Sequence, residues 1–247
     1  RVLFRSIIML FGGFTGLLPG QSLPSWVGSL SAVCSVFVAF AWLVLAYNIY
    51  RTIGGVSGKS GGLSYKFIYF SAAAGLLSAV LTAWASRASV ADVIQFTLFL
   101  PGLKWLHLYG FVGMGLLGCI HYFLPKITGI EWSRPAQWTA IFWTYAIGTS
   151  LVGIAFLVGG WKHGKGLIDP ETPFMDVVRE GIAPFVRMST VGELLVFVAA
   201  ALLCWNVTTL FCRTYCSCLC LGGLSQNKAG TSRETKKSQP KKSSKNK

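Results

Sequence analysis

The chain has 247 residues, 53% of them apolar and 12% charged, with a formal net charge of +14 and a mean hydropathy of +0.58. A soluble domain carries about 25% charged residues, so a water-soluble globule, a disordered chain and a nucleic-acid binder are all poor descriptions of this one. The aromatic share is 14%, with 9 Trp and 17 Phe, which suits a lipid-facing surface with interfacial belts.

About 20 consecutive apolar residues cross a bilayer as a helix. Six stretches qualify: Val2–Pro19, Val27–Tyr50, Phe67–Ser86, Trp105–Leu124, Trp138–Gly160 and Met188–Phe211. Backbone groups in lipid must bond within a helix or a closed barrel, and no alternation of period two is present, so helices are expected. The predicted fold is all-α: a polytopic transmembrane helix bundle of about six spans over 1–212. A Cys cluster and a Lys/Ser-rich tail follow at 213–247, disordered from Gly222 onward. The chain begins with Arg1 rather than Met, as an internal piece of a longer protein would. Arg1–Gly20 lacks a small-residue cleavage site and is read as a span, not a signal peptide.

Charge orients the bundle. One side collects Arg1, Arg5, Arg51, Lys59, Lys66, Lys126, Arg134 and the nine basic residues of the tail, against Glu131 and Glu234. The other receives Arg87, Lys104, Lys162, Lys165, Arg179 and Arg187, against Asp92, Asp169, Glu171, Asp176 and Glu180. The sides carry +14 and +1, and Glu193 inside the last span supplies the remaining −1. Lys and Arg stay on the cytoplasmic side, so both termini are expected there and the 161–187 loop faces out. Without the tail the basic residues split only seven to six.

Three segments carry a resemblance. Phe96–Gly129 reads FTLFLPGLKWLHLYGFVGMGLLGCIHYFLPKITG; Trp26–Thr52 reads WVGSLSAVCSVFVAFAWLVLAYNIYRT; Gly159–Val191 reads GGWKHGKGLIDPETPFMDVVREGIAPFVRMSTV. The first resembles the tenth helix of subunit I of the C-family, cbb3-type heme–copper oxidases. The second is similar to a helix with a P-x-W start and an N-x-x-x-T end, and the third to the outer loop and start of the last helix of that subunit. The resemblance covers about 5–212 and corresponds to the C-terminal half of a usual subunit I. It implies a multi-pass subunit of the bacterial inner membrane. It also implies other respiratory oxidase subunits as partners, including c-type cytochrome subunits.

The same resemblance exposes a loss. In the family two His, one residue apart, begin the tenth helix. Two positions on a helix are about 200° apart, so one imidazole meets the high-spin heme and the other the low-spin heme. Counted back from Tyr109 and Gly110, these positions are Leu103 and Trp105, and neither can ligate iron as a neutral imidazole does. The family's copper-binding His-His pair, counted back from Pro24 and Trp26, falls at Gly16 and Leu17. Copper bound as in the family would therefore lose two ligands, and it is not expected within this segment.

Three His remain in the chain. His107 lies four residues after Leu103, about 40° round a regular helix, and is the heme-ligand candidate, with heme b as the implied cofactor. Its ordinary reading is a His bonded to a neighbouring helix. His121 sits where the family often has Tyr and reads as interfacial or as a proton or heme group. His163 reads as solvated in the outer loop. Glu193, the acid inside a span, is the proton-relay candidate; at about a turn and a half from the outer end of its span, it reads otherwise as snorkelling to water. Lys104 reads as an interface anchor. Arg179 and Arg187 read as contacts to heme propionates or to headgroups and partners.

Cys34, Cys119 and Cys204 fall within spans and behave as small apolar residues. Cys212, Cys216, Cys218 and Cys220 follow the last span in a C-x3-C-x-C-x-C pattern unlike a zinc site. Free thiols, acylation and metal binding are the readings. The tail's Lys and Arg should hold anionic lipid at about 1 kcal/mol each near the surface. The Asn206 sequon lies in a span and is read as chance. No nucleotide loop or nucleophile triad is present. Three functions follow: a non-catalytic, partner-dependent oxidase subunit; a fragment of a working terminal oxidase that reduces oxygen to water with heme bound through His107; or a cofactor-free transporter or channel subunit. The last would need a polar pathway and usually internal repeats, and none is visible.

Overall fold

A computed structural model describes residues 24–55, 62–132 and 134–237. Among these residues the chain is helical, without strands. It contains α1 (Ser25–Gly55), α2 (Leu63–Ala85), the short α3 (Ala88–Ile94) and α4 (Phe99–Trp105). A π-helical segment, π1 (Leu106–Gly113), joins α4 to α5 (Met114–Thr128). Then come α6 (Pro135–Ile168), the single turn α7 (Phe174–Asp176), π2 (Val177–Ile182) and α8 (Ala183–Lys237).

Five helical stretches are long and apolar enough to cross a membrane: Trp26–Thr52, Leu63–Ala85, Phe99–Thr128, Pro135–Ile168 and Phe174–Tyr215. They coincide with five of the six expected spans. The stretch at 2–19, which includes Gly16 and Leu17, lies outside the described residues.

Two expectations need correction. The helices outrun their apolar windows. The third span begins at Phe99, not at Trp105, and α6 continues to Ile168, through the start of the expected outer loop. The segment read as disordered from Gly222 is helical to Lys237, while 238–247 lie outside the described residues. The cause is shared: once a helix is nucleated, each added residue gains a bond at little cost, and Lys, Arg, Glu and Gln are good helix formers. At the start of α4, Pro101 needs no donor in the first turn, and Thr97 Oγ1 accepts the Phe99 N–H at 3.3 Å.

The long helices pack largely in chain order: α1 on α2, α2 on the 99–128 helix, that helix on α6, and α6 on α8. The main core gathers Phe67, Met114, Trp138, Ile141 and Phe142, all buried. A second cluster of Ala85, Val90, Ile94 and Phe99, with Trp84 and Trp161 against it, closes the opposite end. Ser64, His121 and Trp132 lie at the Trp138 end, and the Ser35–Ser86 contact at the other. Lys66, Lys126, Glu131 and Arg134 therefore share one end, and Arg87, Asp92, Lys104, Lys162 and Lys165 the other, as the charge pattern predicts.

The α6–α8 seam has a readable grammar. Ser189, Gly192, Ala199, Asn206 and Leu210 are buried, with Val196 and Leu203 packed beside them. Their spacing alternates three and four, the repeat of two helices wound at a shallow angle. Gly192 meets Gly148 and Val152 of α6 so closely that a Cβ on Gly192 would lie 2.7 Å from Val152 Cγ2. Small residues at such crossings let backbones approach in a membrane.

Between α5 and α6 the chain turns at Gly129, whose φ of 68° is left-handed and whose N–H bonds Pro125 O at 2.9 Å. This is the usual helix end for Gly. Pro135 then opens α6 at its first position, where the missing N–H costs nothing.

Candidate functional site

The π1 segment is built by its neighbours. A π turn bonds i to i+5 and displaces carbonyls from the regular ladder. Two of them find donors on adjacent helices. Tyr145 Oη of α6 donates to Tyr109 O at 3.2 Å, and Ser71 Oγ of α2 donates to Phe111 O at 2.7 Å. Gly113 leaves the space that Tyr145 fills, since a Cβ there would collide with the phenol oxygen. Such widened turns often mark functional sites.

His107 sits in π1. Its Nδ1 lies 3.2 Å from Ser78 Oγ, and Ser78 donates its hydroxyl proton to Gly75 O at 2.8 Å. With its hydroxyl proton on Gly75 O, Ser78 accepts from the ring, and in that tautomer the proton sits on Nδ1 and the Nε2 lone pair is free. The imidazole is met edge-on by Trp42 of α1, at 5.8 Å, and at a tilt by Phe111, at 5.5 Å. The 40° offset between His107 and Leu103 holds for a regular helix, and π1 begins between them, so that rotation does not carry across. Leu103 is partly exposed, and Trp105 stacks on Tyr109 at 3.9 Å.

His121 occupies an aromatic box at the other end of the same helix. Its Nδ1 lies 2.6 Å from Ser64 Oγ. Trp132 stacks parallel to the ring at 6.1 Å, and Trp138 meets it edge-on at 4.7 Å. The box has a backbone cause. Pro125 stands four residues after His121 and has no N–H to give its carbonyl. The Trp132 indole supplies it instead, donating to His121 O at 3.0 Å. Replacing Trp132 by Phe keeps the ring and strands this acceptor. It should cost about 1–3 kcal/mol, measured as a lower midpoint in a detergent-denaturant titration. An unchanged midpoint would show that water replaces the indole.

Glu193 lies elsewhere. It is exposed on α8, beside the buried Gly192, whereas His107 touches α1 and α2. The structure does not bring the two together. Gly192 packs at Gly148 and Val152, half-way along the apolar part of α6. At 1.5 Å per residue, Gly148 is about 15 Å from Trp138 and about 20 Å from Trp161, and Val152 about 21 Å and about 14 Å. The helix containing Glu193 starts at Phe174, well before Met188.

His163 is also corrected. It belongs to α6, is only partly exposed, and its Nδ1 is buried without a partner among the described residues. Arg179 and Glu180 ride on π2, just ahead of Pro184. A proline clashes with the carbonyl four residues back, and the widened turn gives that carbonyl room. Arg179, Arg187 and Lys104 are exposed. Cys34 is a buried free thiol; Cys119, Cys204 and Cys212 are exposed. The side chains of Cys216, Cys218 and Cys220 fall outside the described residues. Among the described residues no three His, Cys, Asp or Glu gather as a metal site would require.

Several working residues escape a sequence reading. Ser64, Ser71 and Ser78 recur every seven residues on α2, and that spacing was the available signal. Nothing local flags Trp42 or Tyr145.

Compared with known proteins, residues 3–195 match the sequence model of a family described as cytochrome c and quinol oxidase polypeptide I. No curated protein matches the chain.

Proposed function

Because the chain belongs to the cytochrome c and quinol oxidase polypeptide I family and is a multi-pass membrane protein by its helices, we propose that it is a cbb3-like oxidase subunit whose own heme and copper ligands are replaced. On this reading 1–212 form the bundle and seat a ligand-bearing partner, with c-type cytochrome subunits among its neighbours. Residues 213–247 form a basic cytoplasmic tail against anionic lipid. The membrane is the bacterial inner membrane, with both termini inside. Oxygen reduction belongs to the partner.

The observation that supports the reading is the state of the two family positions. Leu103 and Trp105 offer no lone pair to iron, and the Trp105 ring is committed to Tyr109. The family's paired imidazoles therefore do not fit here.

One observation favours a second reading. With Ser78 donating to Gly75 O, His107 donates from Nδ1, and that tautomer leaves Nε2 as a free nitrogen of the kind that holds heme axially. The residues fit one such ligand. Heme b bound there would supply one-electron and oxygen chemistry. His107 would hold the iron, and Ser78 would fix the ring, as partners of ligating His do.

Iron and copper analysis of the purified chain separates the two. The first reading expects far less than one iron per chain, unchanged by His107→Ala. About one iron per chain, lost in His107→Ala, would overturn it in favour of the second.

A further inference from the structure

Glu193 stands beside the Gly192 crossing, midway along the apolar part of α6, exposed, and without an ionic or hydrogen-bond partner among the described residues. A hydrocarbon core is about 30 Å thick, and a Glu side chain is far too short to reach water from its middle. Intramembrane charges nearly always face other protein, paired with a complementary group. α8 packs mainly on α6, and Glu193 stands about 90° from the centre of that seam by helix geometry. Among the described residues its flank is thus an open edge of the bundle.

We propose that this flank of α8 docks a transmembrane helix of another subunit, one that presents a Lys or Arg at mid-membrane depth opposite Glu193. Charge complementarity identifies the occupant. A carboxylate in hydrocarbon is costly unless a cation meets it, and a buried pair with good geometry can offset both desolvations. The flank also permits close approach. Ala200 and Cys204, seven and eleven residues on, share the face of Glu193 and are exposed. A second copy of the chain fits poorly. A two-fold dimer through this flank would set Glu193 against Glu193, and Arg187, the basic residue of α8 nearest to it in sequence, stands six positions, about 9 Å, off its level.

The test uses the full chain in phosphatidylcholine vesicles with two labelled synthetic helices. Both are Leu/Ala-rich; one carries a single central Lys and the other Leu at that place. Energy transfer should show the Lys helix binding about tenfold more tightly, as expected for a strong polar contact between membrane helices. The preference should vanish in Glu193→Leu and weaken in the nearly isosteric Glu193→Gln. Glu193→Lys should reverse it toward a Glu-bearing helix. Helix content and a monodisperse detergent profile establish that each variant is folded, and Glu193→Gln keeps the test decisive where Glu193→Leu fails to fold. Equal binding of the Lys and Leu helices to the wild-type chain would overturn the proposal. So would a preference that survives Glu193→Gln undiminished, or Glu193-dependent self-association that excludes the Lys helix.

Discussion

Trp138→Ala should destabilise the bundle by about 3–5 kcal/mol, the range for emptying an aromatic site in a core. Trp138 is 0% exposed and is a point where three elements meet. It packs edge-on against His121 at 4.7 Å, against Trp132 at 4.6 Å, and edge-on to Phe67 of α2 at 6.4 Å. Its removal opens a void beside α2, α5 and the turn into α6 together, so no single side chain can fill it. The Trp138 indole N–H has no partner among the described residues, so its loss alone is no penalty. Trp138→Phe should therefore cost clearly less than Trp138→Ala. A detergent-denaturant titration of both variants reads the difference. Equal, small losses would mean that this end of the bundle is loosely packed.

Gly160→Ala should be nearly as damaging, and Gly153→Ala should not. Both lie on α6, and a helix interior favours Ala over Gly by about 1 kcal/mol. At Gly153 the new methyl would meet only Leu106 Cδ1 at 3.8 Å, an ordinary contact, so stability should hold or rise. At Gly160 it would run into the backbone N and Cα of Phe99. Backbone cannot swing aside as a side chain can, so α6 and the start of α4 must separate. Overpacking costs about 1–3 kcal/mol and occasionally more; the upper end is expected, with fewer properly folded molecules recovered. Equal melting of the two variants would show that the helices slide apart freely.

These sites mark how far the sequence reaches. The five described spans are legible because hydrocarbon imposes length and apolarity on any helix that crosses it. The distribution of charge between the ends is legible for a similar reason. Helix ends are not, since polar turns extend an existing helix cheaply, and this is why His163 reads as a loop residue and stands in α6. π1 is invisible because hydroxyls from Tyr145 and Ser71, distant in sequence, hold it. The freed carbonyl of His121 was readable from Pro125, but its donor, Trp132, was not. That Leu103 and Trp105 stand where the resembled family has its heme His is an expectation that rests on the resemblance alone. The tautomer of His107 depends on Ser78, on another helix.

The most direct measurement is the reduced-minus-oxidised absorption spectrum of the purified full chain, taken beside that of His107→Ala. An inert scaffold predicts no b-type band from either protein. A b-type band in the wild-type chain that disappears with the imidazole would contradict the account and make His107 an axial ligand.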